Sequence, residues 1–182
     1  MQAKYGTGAG LIDASASSAQ VSARAGLGSV STLTVTRVQR ARYALTDDEG
    51  RQLALLWVRS DVGRGEIRTG HGTWTVRRHG WRRVIAGDAG HPLVRLDPDG
   101  ALVPGASPAA RWSIRRLWRV YEGTLASADR SITLRLAPFS GRRCEVEISG
   151  QWEQRDLVVL TACFGLLARR RRDTIIMVTA GH

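Results

Sequence analysis

Hydrophobic and polar positions alternate along much of this chain. From Ser131 to Leu136, Ile132, Leu134 and Leu136 fall on one face and Ser131, Thr133 and Arg135 on the other. Cys144, Val146 and Ile148 alternate in the same way with Arg143, Glu145 and Glu147. A period of two marks a strand with one face buried and one wet, as in antiparallel sheets. From Leu33 onward, short segments rich in β-branched and aromatic residues are divided by turn sequences: Thr46 to Gly50, Gly63-Arg64-Gly65, Gly70-His71-Gly72, Asp97-Pro98-Asp99-Gly100 and Ser140-Gly141-Arg142. Turns at that frequency predict a meander of strands.

One stretch breaks the pattern. Leu157 to Ala168 carries no charge and no polar stripe at any helical angle. A helix that is apolar all round is buried on every side or lies in lipid. Glu153 and Asp156 place negative charge near its start, and Arg169 to Arg172 place positive charge at its end, which suits the helix dipole. At about 1.5 Å per residue these residues cover roughly 18 Å, short of the roughly 30 Å of bilayer hydrocarbon. The prediction is therefore a core helix over about 153–171, with Leu157, Leu160, Phe164 and Leu167 among its core positions, and no transmembrane span.

Residues 1–31 are rich in Ala, Ser and Gly with little periodicity and are expected to form a flexible tail, leaving 32–182 as one folded domain. Gly6, Gly8 and Gly10 resemble a phosphate-cradling loop, but no strand precedes them and no Lys-Ser/Thr follows. Trp112-Ser113-Ile114-Arg115-Arg116 matches Trp74-Thr75-Val76-Arg77-Arg78 position by position in chemical type, and each follows an acidic turn ending in glycine. The unequal spacing, 24 residues from Gly50 to Trp74 against 12 from Gly100 to Trp112, excludes a solenoid and suggests a sheet in two halves.

Composition adds charge to this picture. The 182 residues are enough for one domain with a real core, and 43% are hydrophobic. The formal charge is +11, and Lys4 is the sole lysine among 27 basic residues. Arginine forks suit phosphate, pointing to a membrane surface or nucleic acid, although a GC-rich coding sequence also raises Arg, Ala and Gly together. Cys144 and Cys163 are no disulfide framework and no local metal motif. The N-terminal sequence lacks the apolar stretch of a secretory signal, so the expected location is the cytoplasm, with peripheral membrane association.

A meander in two halves followed by one wholly apolar helix resembles the tubby-like superfamily, including the plant LURP-one-related proteins and the phospholipid scramblases. The matching features are the Tyr43 to Gly50 strand and turn, the paired Trp74 and Trp112 strands, the Leu93 to Gly100 strand and turn, and Leu157 to Ala168. The resemblance implies a mainly β fold, a closed antiparallel barrel of about 10–12 strands wrapped around a central hydrophobic C-terminal helix. A barrel also removes sheet edges, and its lumen supplies the apolar surroundings that such a helix requires. For function the resemblance implies binding rather than catalysis, with anionic phospholipid or phosphoinositide headgroups as ligand. No local motif carries the family's phosphoinositide residues onto this chain. The scramblases' acylated cysteine cluster and terminal membrane segment have no evident counterpart.

The densest basic regions join Arg77, Arg78, Arg82 and Arg83 with Trp74 and Trp81, and Arg115, Arg116 and Arg119 with Trp112 and Trp118. Brought together, they would form an Arg/Trp surface for anionic headgroups. The competing reading makes the tryptophans barrel core and the arginines a solvated outer wall. Alternation places Arg78 on the face of Val76 and Arg116 on that of Ile114, so either a bulge intervenes or these two arginines point somewhere special. Interleaved Arg and Trp also suit nucleic-acid binding, which, with a protein-interaction module, is the alternative function. His71, His79 and His91 lack metal-ligand partners at useful spacing, no nucleophile elbow occurs, and Asp97 and Asp99 fit a hairpin turn better than a calcium loop. No enzyme activity, metal or cofactor is expected.

Overall fold

The computed structural model describes residues 30–80, 82–88, 90–106, 110–118, 120–137 and 140–180, without the side chains of 177, 178 and 180. The expected tail over 1–29 lies outside the described residues, as do Trp81 and Arg119. The first strand starts at Val30, two residues before the expected edge of the domain.

Eleven antiparallel strands form one sheet: β1 (Val30–Gln39), β2 (Arg42–Thr46), β3 (Gln52–Val58), β4 (Arg64–Thr69), β5 (Gly72–His79), β6 (Arg83–Asp88), β7 (His91–Leu96), β8 (Arg111–Leu117), β9 (Val120–Ala126), β10 (Ser131–Leu136) and β11 (Arg143–Ser149). A single helix, α1 (Arg155–Ala180), follows. The sheet order β7-β6-β5-β4-β3-β2-β1-β11-β10-β9-β8 consists of two hairpin meanders joined where β1 pairs with β11, from Val30 opposite Ser149 to Thr36 opposite Arg143. The sheet curls into a nearly closed barrel around α1. The alternating segments behave as their period demands: Ile132, Leu134, Leu136, Cys144, Val146 and Ile148 are all buried, while the intervening residues are exposed or half-buried.

The barrel exists because the helix has no wet side. Every residue from Leu157 to Ala168 is buried, and α1 contacts β3, β4, β5, β6, β7, β9 and β10, strands of both meanders. Its one polar residue there, Thr161, donates its hydroxyl hydrogen to the Leu157 carbonyl at 2.7 Å, so no polar group in the lumen lacks a partner on that account. α1 continues to Ala180, nine residues beyond the expected end at 171, because Arg169 to Arg172 reach the barrel rim and solvent permits the helix to carry on. Among the described residues no helix is long and apolar enough to cross a membrane.

Helix and sheet approach closely at Gly123 on β9. A Cβ there would lie 2.6 Å from the Trp112 ring and 3.2 Å from a Leu166 methyl, so the missing side chain is what admits the indole to the core. Trp112 is accordingly 3% exposed. Cys144 on β11 and Cys163 on α1 are free thiols buried beside one another. The hydrogen bond to Cys163, and then burial, push the Cys144 thiol well above its usual range.

The edges β7 and β8 meet only in part. Leu102 exchanges backbone hydrogen bonds with Arg95 of β7 at 2.8 Å, and the Ala101 amide donates to Ala110 beside β8 at 2.7 Å. This two-residue wedge closes one stretch of the seam and leaves the remainder to side chains.

Two outcomes follow from this packing. Phe164→Ala removes a fully buried ring from the lumen and is expected to cost about 3–5 kcal/mol in urea unfolding. Both thiols should stay unreactive towards an aromatic disulfide reagent in the native protein and react together on unfolding, since both are buried out of its reach.

Candidate functional site

In a meander, alternate hairpins fall at the same end of the barrel. The connections after β1, β3, β5, β8 and β10, with the turn after β7, lie where α1 emerges; those after β2, β4, β6 and β9 lie where it enters. The entry end carries Asp47, Asp48, Glu49, Asp129 and Glu153 against Arg51, Arg130 and Arg155, whereas the exit end carries Arg40, Arg59, Arg82, Arg142 and the Arg169 to Arg172 run against Asp61, Asp97, Asp99 and Asp173. The charge of the protein is thus polarised along the barrel axis.

Two basic clefts flank the emerging helix. One, of ≈ 350 Å³, opens in the seam beyond the Ala101–Leu102 wedge. Arg78 and Arg82 line it from the β5–β6 hairpin, Trp112, Ser113 and Ile114 from β8, and Arg169 and Arg172 from α1. The other, of ≈ 780 Å³, lies between the β1–β2 and β3–β4 hairpins and the helix. Arg37, Arg40, Arg59, Arg170 and Arg171 surround an apolar floor that includes Tyr43, Val58 and Leu167. Burial pushes the Tyr43 phenol above its ordinary value. Ala41 and Val62, both in this cleft, adopt left-handed backbone conformations (φ 64° and 51°) that a β-branched residue such as valine rarely tolerates.

The arginines of the molecule differ in how they are paired. On the wall Arg135 bridges Glu122 and Glu147 at 3.3 and 2.7 Å and Arg68 meets Glu66 at 2.8 Å, and in the β2–β3 loop Arg51 meets Asp47 at 2.8 Å. At the clefts Arg169 meets Asp173 at 3.3 Å, and the Gly63 amide first, then the charges of Arg59 and Arg171, hold the Asp61 carboxyl below its ordinary value. Among the described residues, Arg37, Arg40, Arg59, Arg78, Arg82 and Arg171 form no ion pair. Unpaired guanidinium groups with low-dielectric walls concentrate anions.

The arginines expected to act together are divided by the structure. Pairing of β5 with β4 and β6, and of β8 with β9, proceeds without a bulge. Arg78 therefore shares the inward phase of Val76 but stands at the rim, where it lines the seam cleft with Arg82. Arg116 shares the phase of Ile114 and stacks on the Tyr121 ring, 5.8 Å from its centroid. Arg77 and Arg115 face outward, Arg115 opposite Glu122. Arg83 is held by Asp97, Nε to Oδ2 at 2.5 Å, and that hydrogen bond keeps the Asp97 carboxyl below the usual carboxylate range. Trp118 is exposed at the β8–β9 turn, while Trp74 packs against the core at the entry half of β5. The two Trp strands are not sheet neighbours, yet the seam brings Arg78 and Ile114 into one cleft.

Arg37, Arg40 and Arg59 lie outside the Arg/Trp regions of highest local density: Arg37 and Arg40 stand with Arg42 in a stretch without tryptophan, and Arg59 has no arginine within four residues. The signal was hairpin parity: numbering the turns along the meander puts all three at the helix-exit end. A further feature escaped the local reading. Trp57 on β3 lies between Arg42 and Arg68, with guanidinium carbons 4.6 and 4.7 Å from its centroid, which occupies this aromatic on the outer wall.

The helix exit is locked by a buried polar group. Asp173, 8% exposed, accepts the Tyr121 hydroxyl at 3.1 Å and meets Arg169 at 3.3 Å. Burial first, and then the Asp173 charge, raise the Tyr121 phenol. Among the described residues no three His, Cys, Asp or Glu side chains gather as a metal site.

The class defined by these features is a nearly closed antiparallel barrel threaded by a hydrophobic helix, with two arginine-lined clefts at one end. No family model matches the chain, and no curated protein matches it. Among solved structures it is similar to the X-ray structure of a protein from Arabidopsis thaliana, with 14% identity and a TM-score of 0.46 over 78% of this chain and 91% of that one. A similarity of that size assigns no family.

Asp173→Ala leaves Tyr121 and Arg169 without their shared acceptor at the rim and should lower stability by about 2–4 kcal/mol in chemical denaturation. Tyr121→Phe, which keeps the ion pair, should cost about 1 kcal/mol.

Proposed function

We propose that this protein is a non-enzymatic binding module of the tubby-like kind, and that it holds anionic phospholipid headgroups, phosphoinositides included, at the arginine clefts around the helix exit. The observation that carries this reading is that Arg37, Arg40, Arg59, Arg78, Arg82 and Arg171, none of them in an ion pair among the described residues, line two clefts at one barrel end. Arg78 and Arg82 are the residues of the originally expected Arg/Trp set that meet in a cleft, and Arg169 and Arg172 face them from the helix. Phosphate oxygens match the guanidinium fork, and the apolar floor of the larger cleft suits the glycerol and first methylenes of a lipid. The implied location is the face of a membrane bearing anionic lipid.

The test is sedimentation with phosphatidylcholine vesicles, alone and containing phosphatidylserine or a phosphoinositide, beside a DNA mobility shift at matched salt. Binding should require the anionic lipid and weaken with salt. Near a membrane each basic residue contributes about 1 kcal/mol, so Arg78→Ala with Arg82→Ala should lower partitioning on the order of 30-fold. Arg77→Ala with Arg115→Ala, on the outer wall, should change it far less. A DNA shift without vesicle binding would transfer the arginines to nucleic acid and overturn the lipid reading.

A further inference from the structure

The large hydrophobic side chains exposed to solvent are unevenly placed. Among the described residues, Val38, Leu117, Trp118, Ile175 and Ile176 lie at the helix-exit end, against Val30 at the entry end and Leu102 in the seam. Trp118 is 90% exposed at the head of the β8–β9 turn, and Ile175 and Ile176, 54% and 48% exposed, stand on the turn of α1 that follows Asp173. Strand β9 ties these two points together, because its Tyr121 hydrogen-bonds Asp173 while Arg116 stacks on the Tyr121 ring. Ile175 also borders the larger basic cleft with Arg37 and Arg40.

An exposed indole and paired isoleucines cost solvation free energy in water, and monomeric proteins rarely gather such residues without an occupant. Here the same end carries arginines that form no ion pair among the described residues, and its basic residues outnumber Asp61, Asp97, Asp99 and Asp173. Apolar and aromatic tips projecting from a ring of cations match one surface, the boundary between the headgroups and the acyl chains of an anionic bilayer. Nucleic acid would satisfy the arginines without burying isoleucine. A protein partner would not demand that Ile175 border a cleft lined by Arg37, Arg40 and Arg59.

We infer that the protein docks end-on, with the barrel axis near the membrane normal, and inserts Trp118 and the Ile175–Ile176 turn of α1 below the headgroups that the arginine clefts hold. This inference rests on the lipid-binding reading and adds to it an orientation and an inserted element. The Tyr121–Asp173–Arg169 group then serves to fix the helix end and the β8–β9 turn as one rigid insertion edge.

The experiment uses the full chain with a single cysteine introduced as Trp118→Cys, Ile176→Cys or, at the entry end, Glu49→Cys, each labelled with an environment-sensitive fluorophore; Cys144 and Cys163 are buried and do not compete. Vesicles are phosphatidylcholine with phosphatidylserine, with and without brominated acyl chains. The expected result is blue-shifted emission and bromine quenching at 118 and 176 and neither at 49. Trp118→Ser, at a solvent-exposed turn, should fold normally and weaken vesicle binding roughly tenfold while retaining salt-sensitive retention on heparin, which reads the arginines alone. Vesicle binding with probe 49 shielded, or with 118 and 176 unquenched, would overturn end-on insertion and leave the lipid-binding reading standing. Absence of vesicle binding by the unlabelled protein would overturn both.

Discussion

Twelve consecutive residues of α1 leave no side open to water. An amphipathic helix can rest on a sheet; one that is apolar all round has to be enclosed, and enclosure by strands requires a sheet that curls until its edges meet. The remaining features answer to that constraint. The first strand pairs with the last, joining two meanders that would otherwise present long edges. Small residues stand where sheet and helix approach most closely, as Gly123 does beneath Trp112 and Leu166. The two thiols and the Thr161 hydroxyl occupy the lumen because each finds a partner there, Thr161 in the helix backbone and the thiols in one another.

Closure is incomplete, and the shortfall is where chemistry becomes available. Ala101 and Leu102 wedge β7 to β8 over part of the seam, and beyond them the gap is filled by long side chains. Because strands run back and forth, the loops divide between two ends, and arginine has accumulated at the end where the helix leaves. The positive run after Ala168 lies within α1, two to three turns before its end, so it carries the helix out of the lumen rather than capping its dipole. Its arginines contribute to both clefts beside those of the hairpins. Asp173 reconciles that density of charge with a fixed helix exit by joining Arg169 and the Tyr121 hydroxyl at one buried point.

The proposed binding role uses this polarity without disturbing the core. The clefts open on the rim, the proposed inserted tips project from it, and the wall between the ends carries paired charges such as Arg135 with Glu122 and Glu147 beside solvated arginines such as Arg77 and Arg115. Ligand contact is therefore confined to groups that the lumen does not need. The left-handed Ala41 and Val62 in the larger cleft fit the same division, since strain is tolerated where the surrounding barrel holds the loop in place.

Strand alternation, the turn sequences and the all-apolar run determined by themselves that this chain would be β-rich with one enclosed helix, because periodicity and total apolarity are local properties that leave few ways to hide a surface. The alternation even placed Arg78 and Arg116 in the inward phase, although only the tertiary structure showed that inward at the end of a strand means towards a rim cleft. Local density could not separate Arg78 and Arg82, which face the cleft, from Arg83, which pairs with Asp97 fourteen residues away, or from Arg77 and Arg115 on the wall. It also passed over Arg37, Arg40 and Arg59, which the folding of alternate hairpins gathers at one end. Burial is read from neighbours along the chain, whereas a site is made by residues distant in sequence, and it was barrel closure that decided which arginines would meet.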